Sequence, residues 1–364
     1  MPQPPFPRSE LPTPALVLDR AALARNIAKM VAFAAARGVA LRPHAKTHKS
    51  SDIGRLQIEA GAVGLCCAKL GEAEALAAEG VAGLHLTSPV VAPGAVARLM
   101  ALNGRSAGLS VVADHPDNVR QLAAASEGKK LAVLVDVDPG VHRTGVASPE
   151  AAVALAAEIA ASPNLRLAGV QFYCGTQQHI QSFAERRAAI VERTDYLRNV
   201  LAALRAAGHE IPLVTGGGTG TYLIDAELGV LTELQAGSYI FLDREYEECE
   251  LAVGDAPVFE PALFVDATVI SANSAGRVTV DAGLKALASD AGPPVVMGGG
   301  RYAFMGDEHG AIFSEGGPLP GLGGRVTLQP GHCDPTVSLY DAYHLIEGET
   351  VAEVWPVTAR GRST

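Results

Sequence analysis

Ala40-Leu41-Arg42-Pro43-His44-Ala45-Lys46-Thr47-His48-Lys49-Ser50 begins as a short apolar run and ends in a cluster of bases. Strand side chains alternate faces, so Arg42, His44 and Lys46 share one face and Leu41 and Ala45 the other. Three basic groups on one face are costly to bury unless something anionic or electrophilic meets them. Lys46 falls where the strand should stop. A lysine crowded by cationic neighbours has a lowered pKa, and its free amine can attack a carbonyl to form a Schiff base. Taken alone, the stretch reads as readily as a solvated basic turn.

Working outward, it is the first of eight apolar runs separated by helical stretches. The others are Gly64 to Lys69, Gly83 to Pro89, Leu109 to Asp114, Lys130 to Val137, Leu167 to Cys174, Leu213 to Thr215 and Glu233 to Ile240. The intervening segments are amphipathic and alanine-rich, as in Gly71 to Ala78, Pro149 to Ala161 and Phe183 to Ala207. Near-continuous apolar strands alternating with helices predict a parallel sheet covered on both faces. Eight such units match a (β/α)8 barrel better than an open doubly wound sheet. Before them, Ala15-Leu16-Val17-Leu18 predicts a strand and Asp19 the cap of a helix that ends at Gly38. After about Glu250 alternating patterns appear at Leu263 to Ile270 and Arg277 to Asp281, and glycine and proline become frequent. The expected division is a barrel over 20–250 and a mainly β domain over 1–19 plus 251–364.

Composition bounds the function. A net charge of −10 argues against nucleic acid or an anionic membrane surface as partner. The five cysteines, Cys66, Cys67, Cys174, Cys249 and Cys333, form no CxxC pair, and their odd number fits a reducing cytoplasm. Met1 to Pro14 lacks the apolar core of a secretory signal, and Arg25, Lys29 and Arg37 interrupt the longest apolar stretch, so no membrane span is expected.

Active sites of such barrels gather where strands end. Here those ends carry His44 and Lys46, then Asp138 to Gly145, then Gln171 to Gly175 with His179 soon after, then Thr215-Gly216-Gly217-Gly218-Thr219-Gly220-Thr221, and finally Glu233, Gln235 and Tyr239. Three consecutive glycines let backbone N–H groups approach an anion, and the flanking threonines add donors. The loop is neither a Walker loop nor a dinucleotide fingerprint, and its place after the seventh strand suits a phosphate. A lysine able to form a Schiff base and a phosphate cradle in one barrel suggest pyridoxal phosphate, with Arg143 and Tyr173 placed to contact its ring. In the second domain, His332 and Asp334 lie two apart in Pro330-Gly331-His332-Cys333-Asp334-Pro335-Thr336. On an extended segment they share a face and suit Mn²⁺, Mg²⁺ or Zn²⁺, although a two-residue HxD alone reads more simply as an ordinary loop.

Together these stretches, with Asp307-Glu308-His309-Gly310, resemble the D-threonine aldolase group of the alanine-racemase-like (fold type III) pyridoxal-phosphate enzymes. That group also holds D-3-hydroxyaspartate aldolases and is related to D-serine dehydratases. The resemblance runs through nearly the whole chain in order. It implies a (β/α)8 barrel with a C-terminal β domain, a homodimer, and a D-β-hydroxy-α-amino acid cleaved to glycine and an aldehyde. It implies that Lys46 carries the cofactor and that Gly216 to Gly220 hold its phosphate. It also implies that Arg143 and Tyr173 flank the cofactor, that His179 acts near the substrate hydroxyl, and that His332 and Asp334 ligate a divalent metal, Mn²⁺ foremost. The dehydratases resemble this pattern but place cysteine, with zinc, at the position of Asp334. Cys174 stands where relatives often carry histidine. A dehydratase and a non-catalytic pyridoxal-phosphate carrier are the rival readings.

Overall fold

The structure, a computed structural model, describes residues 3–126, 128–251, 253–254 and 257–364. The chain opens with β1 (Phe6–Pro7) and β2 (Ala15–Asp19) and enters α1 (Arg20–Arg37). Asp19 caps that helix by accepting from Ala22 N–H at 2.9 Å, and Gly38 ends it in the left-handed region at φ 64°.

Eight parallel strands follow: β3 (Ala40–Leu41), β4 (Leu65–Cys67), β5 (Leu84–Leu86), β6 (Ser110–Ala113), β7 (Leu131–Asp136), β8 (Leu165–Phe172), β9 (Leu213–Gly216) and β10 (Glu233–Leu234). Between or after them run α2 (Ser51–Glu59), α3 (Leu70–Ala78), α4 (Pro93–Arg105), α5 (Pro116–Ala125), α6 (Pro149–Ala161), α7 (Phe183–Ala206), α8 (Tyr222–Leu228) and the single turn α9 (Arg244–Glu247). The sheet order is β3-β10-β9-β8-β7-β6-β5-β4, so its ends are the first two barrel strands. Those ends meet through one parallel bridge, His44 to Cys66, with Ala45 N–H to the Cys66 carbonyl at 2.8 Å. The sheet therefore curls into a barrel with a short seam, and the lysine lies just past it. Each of the eight apolar runs overlaps a strand of this sheet. β3 is only two residues long, although Arg42 N–H still donates to the Leu234 carbonyl at 2.9 Å; the Arg42 guanidinium pairs with Glu233 (3.0 Å) and donates to the Gly83 carbonyl.

The rest of the chain forms a mixed sheet from β11 (Leu263–Ser274), β12 (Arg277–Val280), β13 (Val295–Val296), β14 (Arg301–Phe304), β15 (Gly310–Phe313), β16 (Arg325–Gln329), β17 (Ala342–Glu347) and β18 (Thr350–Pro356), with α10 (Cys333–Val337) before β17. β2 lies between β17 and β11 in this sheet. The long β11 joins its two parts, since residues 263–268 pair with β2 and β16 while residues beyond pair with β12. Leu16 and Leu18 of β2, fully buried, belong to the same apolar core as the barrel strands. The HxD segment differs from the extended geometry expected of it. His332 is the N-cap of α10, so Cys333 and Asp334 already lie in a helical turn. Among the described residues no helix is long and apolar enough to cross a membrane.

Candidate active site

A cavity of about 260 Å³ opens at the C-terminal end of the barrel strands, lined by His44, Lys46, Thr87, Arg143, Gln171, Tyr173 and Gln235 among others. Its floor is a polar network in which, among the described residues, Asp136 Oδ2 alone is buried without a partner. Gln171 Nε2 donates to the Thr87 carbonyl and to Asp136 Oδ1, at 3.0 and 2.9 Å. Gln235 Nε2 donates to Gln171 Oε1 and to Thr215 Oγ1, at 3.3 and 3.0 Å. Thr215 Oγ1 in turn donates to Glu233 at 2.8 Å. With both amide hydrogens spent, Gln235 has only its carbonyl oxygen left to offer the cavity. Gln171 Oε1 also meets His85 Nε2 at 3.0 Å, and since an amide oxygen only accepts, that nitrogen carries the proton.

Lys46 sits in the turn after the seam, and its ammonium contacts Asp334, 288 residues away. This reverses the expected electrostatics. Burial pulls the Lys46 ammonium down, but the Asp334 carboxylate outweighs it, and the amine titrates above the ordinary lysine value. The neighbouring bases do not act as the crowd of cations the sequence suggests. Arg42 is paired with Glu233, Lys49 with the buried Glu72, and His44 is held neutral, pushed well down by burial and then by Lys46. Asp334 is itself held down at about 2, because Lys46 and His332 overcome its burial.

A smaller recess of about 30 Å³ shares Lys46, His44, Tyr173 and Gln235 with the main cavity and runs between Gly218-Thr219 and Gly237-Ser238, with Tyr246 beside it. Only this part of the glycine loop reaches the site. Thr215 is spent in the floor network. Gly216 closes β9 against the Phe172 carbonyl. A Cβ on Gly217, at φ 70°, would stand 2.6 Å from Asp225 Oδ2. Gly218 N–H donates to Thr221 Oγ1 at 3.1 Å and Gly220 N–H to Gln178 Oε1 at 3.0 Å, so neither is free for an anion. Among the described residues the N–H groups of Thr219 and Ser238 have no acceptor. Thr219 Oγ1 accepts from Tyr239 N–H at 3.0 Å, which leaves its own proton to donate. Gly237-Ser238 and Tyr246 escaped sequence reading. The signal was the small pair Gly237-Ser238 shortly after the eighth strand. Tyr239 is buried in the core on Gln57, at 3.1 Å, away from the cavity.

Arg143 and Tyr173 do meet on the cavity wall, the guanidinium 5.6 Å from the ring centroid. His179 stands with its ring 4.5 Å from that of Tyr246, which borders the recess, and its Nδ1 3.6 Å from Glu245. Burial holds His179 below the usual histidine value, Glu245 opposing and His332 adding to the drop. That lowering favours the neutral imidazole. Across from it, His332 Nδ1 is 2.7 Å from Asp290 Oδ2.

A phosphate fits the recess, whose facing turns hold unspent donors, and a carbonyl-bearing ring fits the cavity beside Lys46. A cation fits less completely. Asp334 Oδ1 is buried without a hydrogen-bond donor. Among the described residues, however, no three His, Cys, Asp or Glu side chains gather as a ligand set.

A curled eight-stranded parallel sheet with a lysine past its first strand, packed with a mixed β sheet, defines a pyridoxal-phosphate enzyme of fold type III. The family model for the alanine racemase N-terminal domain matches residues 18–245, and a serine dehydratase domain model matches residues 262–346. The 3-hydroxy-D-aspartate aldolase of Paracoccus denitrificans (strain Pd 1222) is 40% identical, over 97% of this chain and 93% of the relative. The D-threonine aldolase of an Arthrobacter species is also 40% identical, over 99% of this chain and 96% of the relative. The crystal structure of D-threonine aldolase from Filomicrobium marinum superposes with a TM-score of 0.95, at 40% identity and 98% coverage of both chains. The chain belongs to this D-threonine aldolase and 3-hydroxy-D-aspartate aldolase family of carbon–carbon lyases.

Proposed function

We propose that the protein cleaves the Cα–Cβ bond of a D-β-hydroxy-α-amino acid, giving glycine and an aldehyde, with pyridoxal phosphate on Lys46 and a divalent cation at His332 and Asp334. The observation that carries this reading is the contact between the barrel lysine and Asp334 at one cavity. Pyridoxal phosphate supplies, when bound, an electron sink for the carbanion left at Cα. Thr219 and Ser238 would hold its phosphate, Arg143 and Tyr173 would flank its ring, and the floor network fixes which polar atoms face it. His332 Nε2 and Asp334 Oδ1 would hold the cation, whose chemistry is to acidify a β-hydroxyl too weakly acidic to ionise at neutral pH. Mn²⁺ is the ion we propose on the family resemblance; one imidazole and one carboxylate suit Mg²⁺ and Zn²⁺ as well. His179, beside Tyr246 at the recess, would take the hydroxyl proton.

The rival on the same scaffold is a dehydratase, which the match over residues 262–346 keeps in view. Asp334, in place of the cysteine that the dehydratase pattern carries, favours cleavage. A panel of D- and L-β-hydroxy amino acids with glycine, aldehyde and ammonia all quantified separates the two. Glycine equal to aldehyde, from D-substrates only, supports the lyase. Ammonia with a 2-oxo acid refutes it.

Three further readings accompany this one. We divide the chain into 20–250 and 1–19 plus 251–364, on the membership of the two sheets. A homodimer is favoured by exposed apolar side chains on the β part, Leu284, Met297, Met305 and Leu322. The cytoplasm is favoured by five free, buried thiols.

A further inference from the structure

The structure assigns Asp290 as the residue that sets the tautomer of His332 and so leaves Nε2 free to ligate; this rests on the metal reading above. His332 Nδ1 lies 2.7 Å from Asp290 Oδ2. An ionised carboxylate only accepts, so Nδ1 must carry the hydrogen. In the neutral ring the lone pair is then on Nε2.

Asp290 is not a casual surface partner, although its side chain is about half exposed. It occupies a turn closed by Gly292 N–H donating to the Ser289 carbonyl at 3.1 Å. Arg244 donates to the Ala291 carbonyl from beneath. Just before the turn, Ala288 N–H donates to Thr336 Oγ1 at 3.2 Å, and that hydroxyl donates to the His332 carbonyl at 2.8 Å. On the other side the backbones touch, since a Cβ on Gly331 would come within 2.8 Å of the Gly292 carbonyl oxygen. The turn is thus fastened to the segment that bears His332, on both flanks of the carboxylate. A carboxylate behind a ligating imidazole fixes ring orientation and raises ligand basicity.

Asp290→Asn keeps the shape, but its neutral amide is a weaker acceptor than a carboxylate and can equally turn to donate to Nδ1, so the hydrogen is no longer held on Nδ1. Binding of Mn²⁺ alone to the cofactor-loaded protein, followed by electron paramagnetic resonance of the free ion, should show Kd raised about 10- to 100-fold in Asp290→Asn. Asp290→Glu should recover part of the loss. Nitrogen NMR of the metal-free protein at alkaline pH should find the His332 hydrogen on Nδ1 in the wild type and displaced from it in Asp290→Asn. A merely structural contact would move neither tautomer nor, at unchanged melting temperature, Kd. Asp290→Asn binding Mn²⁺ within twofold of wild type overturns the assignment, as does a wild-type His332 protonated on Nε2. If Mn²⁺ binding is lost in His332→Ala yet indifferent to Asp290, only this assignment falls. If the wild type binds no Mn²⁺, or binds it undiminished in His332→Ala, the metal reading falls and takes the assignment with it.

Discussion

At the scale of single residues, the lysine is decided by its partners. Lys49 is tied into a buried pair with Glu72, and Lys69 is the N-cap residue of α3, whereas Lys46 opens onto the cavity. Borohydride reduction of the loaded protein followed by peptide mapping should therefore place the cofactor on Lys46, and a label on Lys49 or Lys69 would refute the site. The glycine loop yields a second contrast. Gly217→Val puts a side chain at positive φ against Asp225 and should destabilise the fold by roughly 1–3 kcal/mol, read as a lower denaturation midpoint. Thr219→Val, which removes the hydroxyl whose proton is unspent, should instead weaken cofactor binding about tenfold, the worth of one hydrogen bond to a charged group. Equal cofactor affinity in Thr219→Val would remove that hydroxyl from the phosphate recess. Sequence reading named the loop, but it could not see that Gly218 and Gly220 spend their N–H groups on Thr221 and Gln178.

At the scale of elements, the period of the apolar runs made the barrel legible, and each run overlapped its strand. The missing information was where strands start and stop. β8 begins at Leu165, two residues before its run, and β3 ends after Leu41, well short of Lys46. The HxD segment was read as extended because a two-residue spacing carries no helical period, and α10 is only one turn long. The barrel elements also predict a pH dependence. His85 on β5 and His48 after β3 are fully buried, and burial lowers each to about 4. Unfolded histidines bind protons near pH 6.5, so between 6.5 and 4 the unfolded state holds more protons and stability falls as pH falls. The stabilisation is complete above pH 6.5, and about 2 kcal/mol per histidine should be gone by pH 5. Asp136, Asp225 and Asp243, raised by burial to about 6, 7 and 7, bind protons in the folded state and oppose this slope, so the test is the difference between wild type and His85→Gln in urea melts. A difference that does not change between pH 7 and 5 would contradict the burial argument.

At the scale of the whole molecule, the site exists only because two distant parts of the chain meet. No spacing in the sequence brings Asp334 to Lys46, and that contact reverses the sign of the lysine shift expected from its basic neighbours. It also changes the best metal control. Asp334→Ala would remove a proposed ligand and the lysine's counter-ion together, whereas His332→Ala leaves Lys46 paired. Chelation by EDTA should abolish cleavage while cofactor absorbance persists, and His332→Ala should behave the same way with or without added Mn²⁺. Full cleavage in protein shown metal-free by elemental analysis would refute a metal role. The claim beneath all of this is bond cleavage between Cα and Cβ of a D-amino acid. Its most direct test is product analysis by NMR with purified, cofactor-loaded protein given D-threonine, D-phenylserine and D-3-hydroxyaspartate alongside their L-forms. The account predicts glycine and aldehyde in equal amounts from at least one D-substrate, none from the L-forms, and no ammonia. Ammonia and a 2-oxo acid without glycine would contradict it.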